Sequence, residues 1–273
     1  MSKSFLFIIP LTPDEYLTST RKRLRILCLT TLKEQTYNNW NALLIGNSEV
    51  EVHDDRFVIL KKEGLKEEKL QFATKHITIN MPECDYIIRL DDDDIFNPNI
   101  LDKISSLEFD IFVDKYHYYF DYESGSISRQ IKYWFPNTCI HKKKHALAKF
   151  GNLSKKHLPV LNEYVSLIEN DHSKLHIYYK NRKVLYASPN NPIYLRMVSK
   201  DSITSKGEMA YESYLKFFGM WDNSLPTSFK EILSKANLYK RNAKRNIPIL
   251  KRLKYRINEL RTLFNYRKIM FGK

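Results

Sequence analysis

At 273 residues, 43% of them hydrophobic and 13% aromatic, the chain can bury a substantial core, which excludes a disordered protein and leaves room for one large domain or a domain with an appendage. The net charge of +14 is unevenly carried: residues 238–273 hold twelve Lys or Arg against a single acid, Glu259, so the basicity belongs to an appendage and gives no reason to expect specific nucleic-acid binding by the whole protein. Three cysteines, Cys28, Cys84 and Cys139, match neither a disulfide framework nor a zinc site and read as reduced thiols of a cytosolic protein.

The first apolar run, Phe5-Leu6-Phe7-Ile8-Ile9-Pro10, predicts a buried strand that leaves its sheet at the proline. Thr12, Asp14 and Glu15 end the run too soon for a signal peptide or a membrane span. Residues 21–35 place Leu24, Leu27, Cys28, Thr31 and Leu32 at helical spacing. After the polar stretch 36–40, residues 42–45 form a second strand ending at Gly46-Asn47-Ser48, 57–60 a third, 66–80 a second helix and 85–90 a fourth strand. Strands alternating with helices predict an α/β fold with a mostly parallel sheet and right-handed crossovers.

The fourth strand delivers Asp91-Asp92-Asp93-Asp94. Four adjacent carboxylates repel one another, so a divalent cation bound by oxygen ligands is the most direct compensation, the plainer alternative being a solvated acidic turn. A calcium loop of the EF-hand kind fails because Phe96 and Asp102 stand where glycine and glutamate are required. No glycine lies between Gly64 and Gly125 to form a phosphate-cradling loop. What remains is a carboxylate pair at the carboxyl end of a strand, where open α/β sheets place ligands, with Asp91 and Asp93 sharing one metal that a diphosphate completes.

The strand ending in Ile9-Pro10, the segment Gln35-Thr36-Tyr37-Asn38-Asn39-Trp40 after the first helix, and Leu90-Asp91-Asp92-Asp93-Asp94 with Pro98 beyond together resemble a family 2 glycosyltransferase of the GT-A fold, over roughly the first 105 residues. Arg89 before Leu90 is similar to a rhamnosyltransferase-like subset. The resemblance implies a Rossmann-like central sheet, Mn2+ or Mg2+ held by Asp91 and Asp93, and Asp92 as the residue between them. It also implies that Pro10, Thr12, Asn47, Asp92, Arg196 and Ser202 lie at the nucleotide-sugar. One departure stands out: the family commonly has an aspartate after the second strand, where this chain has Gly46-Asn47-Ser48. Asn47 is the expected substitute, with Asp54 or Asp55 as alternatives.

Beyond Pro98, residues 100–107 predict a short helix, 109–113 a strand and 116–122 one arm of a hairpin turning at 124–126. Its aromatics suit either β-packing or a sugar platform. Residues 138–145 lead into a helix expected to run to Phe150 and Gly151. The catalytic base is expected near the next helix, either as Glu163, before it, or as Asp171, beside His172, which is a candidate third metal ligand. Residues 184–186 and 192–196 read as the last two strands. The domain expected over 1–210 is followed by a helical basic extension, 211–273, where Tyr214, Phe217, Phe218 and Trp221 cluster. From Pro248, Leu250, Leu253, Ile257, Leu260 and Phe264 recur at steps of three and four among basic residues, which predicts an amphipathic helix for an anionic membrane surface or a partner helix.

The resulting expectation is a metal-dependent transferase moving a sugar from a nucleotide-sugar donor to a glycan or lipid-linked acceptor in surface polysaccharide synthesis. Inversion follows from the resemblance alone, and the place of work is the cytoplasmic face of the cell membrane. The alternatives are a nucleotidyl- or phosphoryl-transfer enzyme using the same metal site, and a non-enzymatic basic module for membrane or nucleic acid.

Overall fold

The computed structural model describes residues 2–47, 49–80, 83–131, 134–153, 159–169, 175–202, 211 and 225–239. Strands β1 (Phe5–Pro10), β2 (Trp40–Ile45), β3 (Phe57–Leu60) and β4 (Tyr86–Arg89) run parallel in the order β3, β2, β1, β4. Helices α1 (Ser19–Lys33) and α2 (Lys66–Asn80) form the crossovers. Every residue of β1 is buried, and its alternation divides the core. Phe5, Phe7 and Ile9 pack with Cys28, Leu29 and Leu32 of α1 on one face, while Leu6 and Ile8 pack with Leu70, Ala73 and Ile77 of α2 on the other. A parallel sheet covered on both faces needs continuous apolar strands, which is why the first run carries no polar residue. Truncating Ile8 to alanine would cost about 2–5 kcal/mol.

The sheet continues past β4 through β9 (Cys139–Lys142), β6 (Ile111–Val113) and β12 (Val184–Tyr186), with β9 antiparallel to both of its neighbours. This makes a seven-stranded, mostly parallel sheet with flanking helices, the α/β architecture expected from the strand and helix alternation.

A second sheet joins β5 (Ile95–Phe96), β13 (Tyr194–Val198), β7 (Tyr116–Asp121) and β8 (Ile127–Ile131), so the predicted hairpin is present as β7 and β8. The short helix α3 (Ile100–Ile104) follows β5.

Two expectations are corrected. The helix predicted to reach Phe150 and Gly151 is the single turn α4 (Lys143–Ala146), after which β10 (Lys149–Leu153) pairs antiparallel with β11 (Pro159–Ser166). Glu163 therefore lies within a strand and not ahead of a helix. The cross-strand pairing of Phe150 with Val165 and of Gly151 with Tyr164 supplies the bonds that a helix would have made internally.

The single-turn helix α5 (Leu175–Tyr178) comes before β12. In the extension, α6 (Thr227–Lys235) packs Phe229, Ile232 and Leu233 against Leu24 of α1 and Tyr118, Phe120, Leu195 and Met197 of the second sheet. Asn237 ends it with a φ of 56°, and the amides of Asn237 and Leu238 return to the carbonyls of Ser234 and Leu233, the pattern of a left-handed helix stop. The cluster expected at Tyr214, Phe217, Phe218 and Trp221 and the amphipathic helix from Pro248 lie outside the described residues. None of the described helices is long and apolar enough to cross a membrane.

Candidate active site at the aspartate turn

The four aspartates occupy the turn between β4 and β5, beside the carboxyl ends of β1 and β2. The Leu90 amide still bonds to Ile8, Leu11 bonds to Ile45, and Asp94 closes the turn on the Asp91 carbonyl. Gly46 is required here because a Cβ at that position would sit 2.9 Å from the Leu11 Cβ. The close approach of the two strand ends thus selects glycine.

Two of the four carboxylates belong to the framework. Asp92 is 3% exposed and accepts from the Thr12 amide at 2.8 Å, the Thr12 hydroxyl at 2.7 Å and Arg25 Nε at 2.8 Å. Arg25 also donates to the Thr12 carbonyl. Asp94, equally buried, accepts from the Tyr194 hydroxyl and, at 2.7 Å, from the Met197 amide, which ties the turn to β13. Burial, with the charges of Asp93 and Asp91, pushes the Asp94 carboxyl well above its ordinary range.

The other two are only partly buried. The Asp91 side chain is 24% exposed, with Oδ1 2.7 Å from Lys66 Nζ. Burial acts to raise its pKa, but the charges of Lys66 and Arg89 and hydrogen bonds from Lys66 and Asn137 outweigh it and hold the carboxyl below its usual range. Asp93 is 16% exposed and 3.2 Å from Arg21 Nη2. There burial and the neighbouring Asp92 and Asp91 charges prevail over Arg21 and Arg196, and the carboxyl is pushed up to about 6.

The expected site residues divide accordingly. Pro10 and Thr12 sit at the β1 end, buried, and Thr12 is bound to Asp92 and to Arg21 Nη2. The polar groups of Asp92 and Thr12 hold each other. Asn47 donates to Glu63. Asp54 is engaged by the Arg56 side chain and amide. Arg196 acts electrostatically on both Asp93 and Asp94. The Ser202 hydroxyl accepts from the Ser199 amide, and the adjacent Asp201 carbonyl accepts from Arg21, which places that segment beside the turn. For Glu163 the backbone alone is described, and Asp171 and His172 lie outside the described residues.

The sequence reading missed Arg21, Arg25 and Lys66. Arg21 and Arg25 stand four apart in α1 and are buried. The signal was their position one turn after the β1 loop, on a helix face that must meet the sheet ends.

The donor set suits a hard divalent ion, since carboxylate oxygens are the ligands that Mg2+ and Mn2+ prefer. Among the described residues no group of three His, Cys, Asp or Glu converges. Asp91 and Asp93, the two partly buried carboxylates of the turn, are the residues that could hold such an ion. The residues fit such an ion on those terms.

No protein-family model matches the chain, and no curated protein matches it. Among solved structures, the chain is similar to S. aureus TarS, at 12% identity and a TM-score of 0.46, over 89% of this chain and 44% of TarS. It is also similar to 4-diphosphocytidyl-2C-methyl-D-erythritol synthase from Anaerococcus prevotii DSM 20548, at 12% identity and a TM-score of 0.42, over 78% of this chain and 96% of that one. A third similar structure is a glycosyltransferase involved in glycosylation of the major capsid of PBCV-1, at 10% identity and a TM-score of 0.38, over 78% and 99%. The chain thus spans less than half the length of TarS. Likeness at this level assigns neither reaction nor substrate.

Proposed function

We propose that this protein is a metal-dependent glycosyltransferase of the GT-A kind, moving a sugar from a nucleotide-diphosphate donor to a glycan or lipid-linked acceptor with inversion. The observation that supports this reading is the division within the aspartate turn. Asp92 and Asp94 are buried and satisfied, whereas Asp91 and Asp93 are partly buried and face cations. A purely structural acidic turn has no need of that alternation.

A bound Mn2+ or Mg2+ would supply Lewis-acid stabilisation of the charge that grows on the leaving diphosphate. The chain's own residues do the rest. Asp91 and Asp93 would hold the ion, and Arg25 and Thr12 set the turn that presents them. The planar head of Arg196 suits diphosphate oxygens. The acceptor hydroxyl forms the new bond to the anomeric carbon as the bond to the diphosphate oxygen breaks on the opposite face, and its proton passes to a carboxylate. That base is Asp171 or Glu163 in this reading, with His172 as a further ligand. The basic extension would rest on an anionic membrane surface, each Lys or Arg near it contributing about 1 kcal/mol.

The test is the thermal midpoint with nucleoside diphosphates and sugar nucleotides, with and without manganese, for wild type and Asp93→Ala. A ligand at a hundredfold excess over its dissociation constant stabilises by about 2.7 kcal/mol. A manganese-dependent shift with one nucleotide, absent in Asp93→Ala, is the expected result. No shift with any nucleotide in the presence of manganese would sink the reading. Release of free pyrophosphate in place of a nucleoside diphosphate would reassign the chemistry to nucleotidyl transfer.

A further inference from the structure

The two cations at the turn are held differently. Arg21 is 6% exposed, and besides facing Asp93 it donates to the Thr12 hydroxyl at 2.7 Å and to the Asp201 carbonyl. It is locked between β1, the aspartate turn and the 199–202 segment. Lys66 is the first residue of α2, its side chain is 36% exposed, and among the described residues its contact is with Asp91, at 2.7 Å. A rigid guanidinium in a buried lattice of hydrogen bonds cannot leave without cost, whereas an ammonium on a flexible stem at a helix start can.

A divalent ion at the Asp91 carboxylate would share that carboxylate with Lys66, whose ammonium lies 2.7 Å from Oδ1. Two cations at one carboxylate repel each other, and the repulsion is twice as large for a divalent ion as for a monovalent one. Of the two basic side chains at the turn, the half-buried lysine is less tightly held than Arg21 and is the one able to give way. Resting on the metal-dependent reading above, we infer that Lys66 is a displaceable counter-ion. It occupies the Asp91 carboxylate while no divalent ion is present, and it is transferred to the diphosphate oxygens of the donor when the ion takes its place. Lys66 is thus a positioning residue that couples metal entry to diphosphate binding, and removing it has opposite effects on the two ligands.

The experiment uses the full chain as wild type, Lys66→Met, Lys66→Arg and Asp91→Asn. Manganese binding without nucleotide is read from the electron paramagnetic resonance of the free ion. The binding of inorganic pyrophosphate, supplied as its manganese complex, to manganese-saturated protein is read by titration calorimetry. Lys66→Met is expected to bind manganese about fivefold more tightly and pyrophosphate about fivefold more weakly, with Lys66→Arg close to wild type on both measures. A manganese site that Asp91→Asn removes but Lys66→Met leaves unchanged, or weakens, overturns the inference alone. Unchanged pyrophosphate affinity in Lys66→Met does the same. Absence of an Asp91-dependent manganese site in the wild type overturns the metal-dependent reading itself, and the inference with it.

Discussion

Arg25 clasps Asp92 through Nε and Nη2, each 2.8 Å from Oδ2, with both side chains about 95% buried. The pair joins the middle of α1 to a turn 67 residues away, and it fixes which of the four aspartates turn inward. Arg25→Met is expected to leave a buried charge without its partner and to destabilise the fold by about 3–5 kcal/mol. Urea denaturation of the variant checks this, and a loss below 1 kcal/mol would show that the pair does not anchor the turn.

Asp92 and Asp94 should respond differently to conversion to asparagine. Asp94 is held toward its neutral form, and an asparagine can still accept from the Met197 amide while placing its amide at the Tyr194 hydroxyl. Asp94→Asn is therefore expected to cost under about 1 kcal/mol, whereas Asp92→Asn removes the anion that a buried arginine needs and costs about 2–4 kcal/mol. Equal losses in denaturant melts would contradict the division.

The pH dependence of stability should carry a histidine signature. His141 is fully buried on β9 beside the Tyr179 hydroxyl at 2.8 Å, and burial, helped by the nearby His145, lowers its pKa to about 3. His145, which faces Asp110 and Tyr178, is shifted in the same direction. An unfolded histidine takes a proton near pH 6.5, which the folded His141 refuses until about pH 3. Stability is therefore retained above about 6.5 and lost as pH falls through that window, at about 1.4 kcal/mol per unit for this one group. Melting curves from pH 7.5 to 5 should fall less steeply for His141→Gln than for the wild type.

Gly46→Ala places a methyl group against Leu11 at the junction of β1 and β2. The expected cost is about 1–3 kcal/mol. Because that junction carries Thr12 and Asn47, nucleotide-dependent thermal shifts should shrink in the same variant. A variant with wild-type stability would mean that Leu11 yields freely.

At Asn237 the left-handed backbone that stops α6 excludes a branched side chain. Asn237→Val should lower stability by about 1–2 kcal/mol, read as a shift in the denaturation midpoint. An unchanged midpoint would show that α6 adds little to the fold.

Most of the first hundred residues were legible without coordinates. The strands β1 to β4 are built on short apolar runs and α1 shows a helical spacing, so local pattern and chain order suffice to specify β1 to β4, α1, α2 and the arrival of four carboxylates at a strand end. Residues 138–153 were not legible in that way. Cys139-Ile140-His141-Lys142 is short and leads into lysines, and its strand form depends on pairing with β4 and β6 on either side. Glu163 was misplaced for the same reason, because β11 draws its register from β10.

Four identical side chains in succession carry no information about which are fully buried and which stay partly open. Tertiary structure decided that, through Arg25 and Thr12 for Asp92, Tyr194 and Met197 for Asp94, and Lys66 and Arg21 for the partly buried pair. Local periodicity is written in neighbouring letters. The pairing of a buried charge depends on groups distant in the chain, and only the folded geometry brings them within hydrogen-bonding reach.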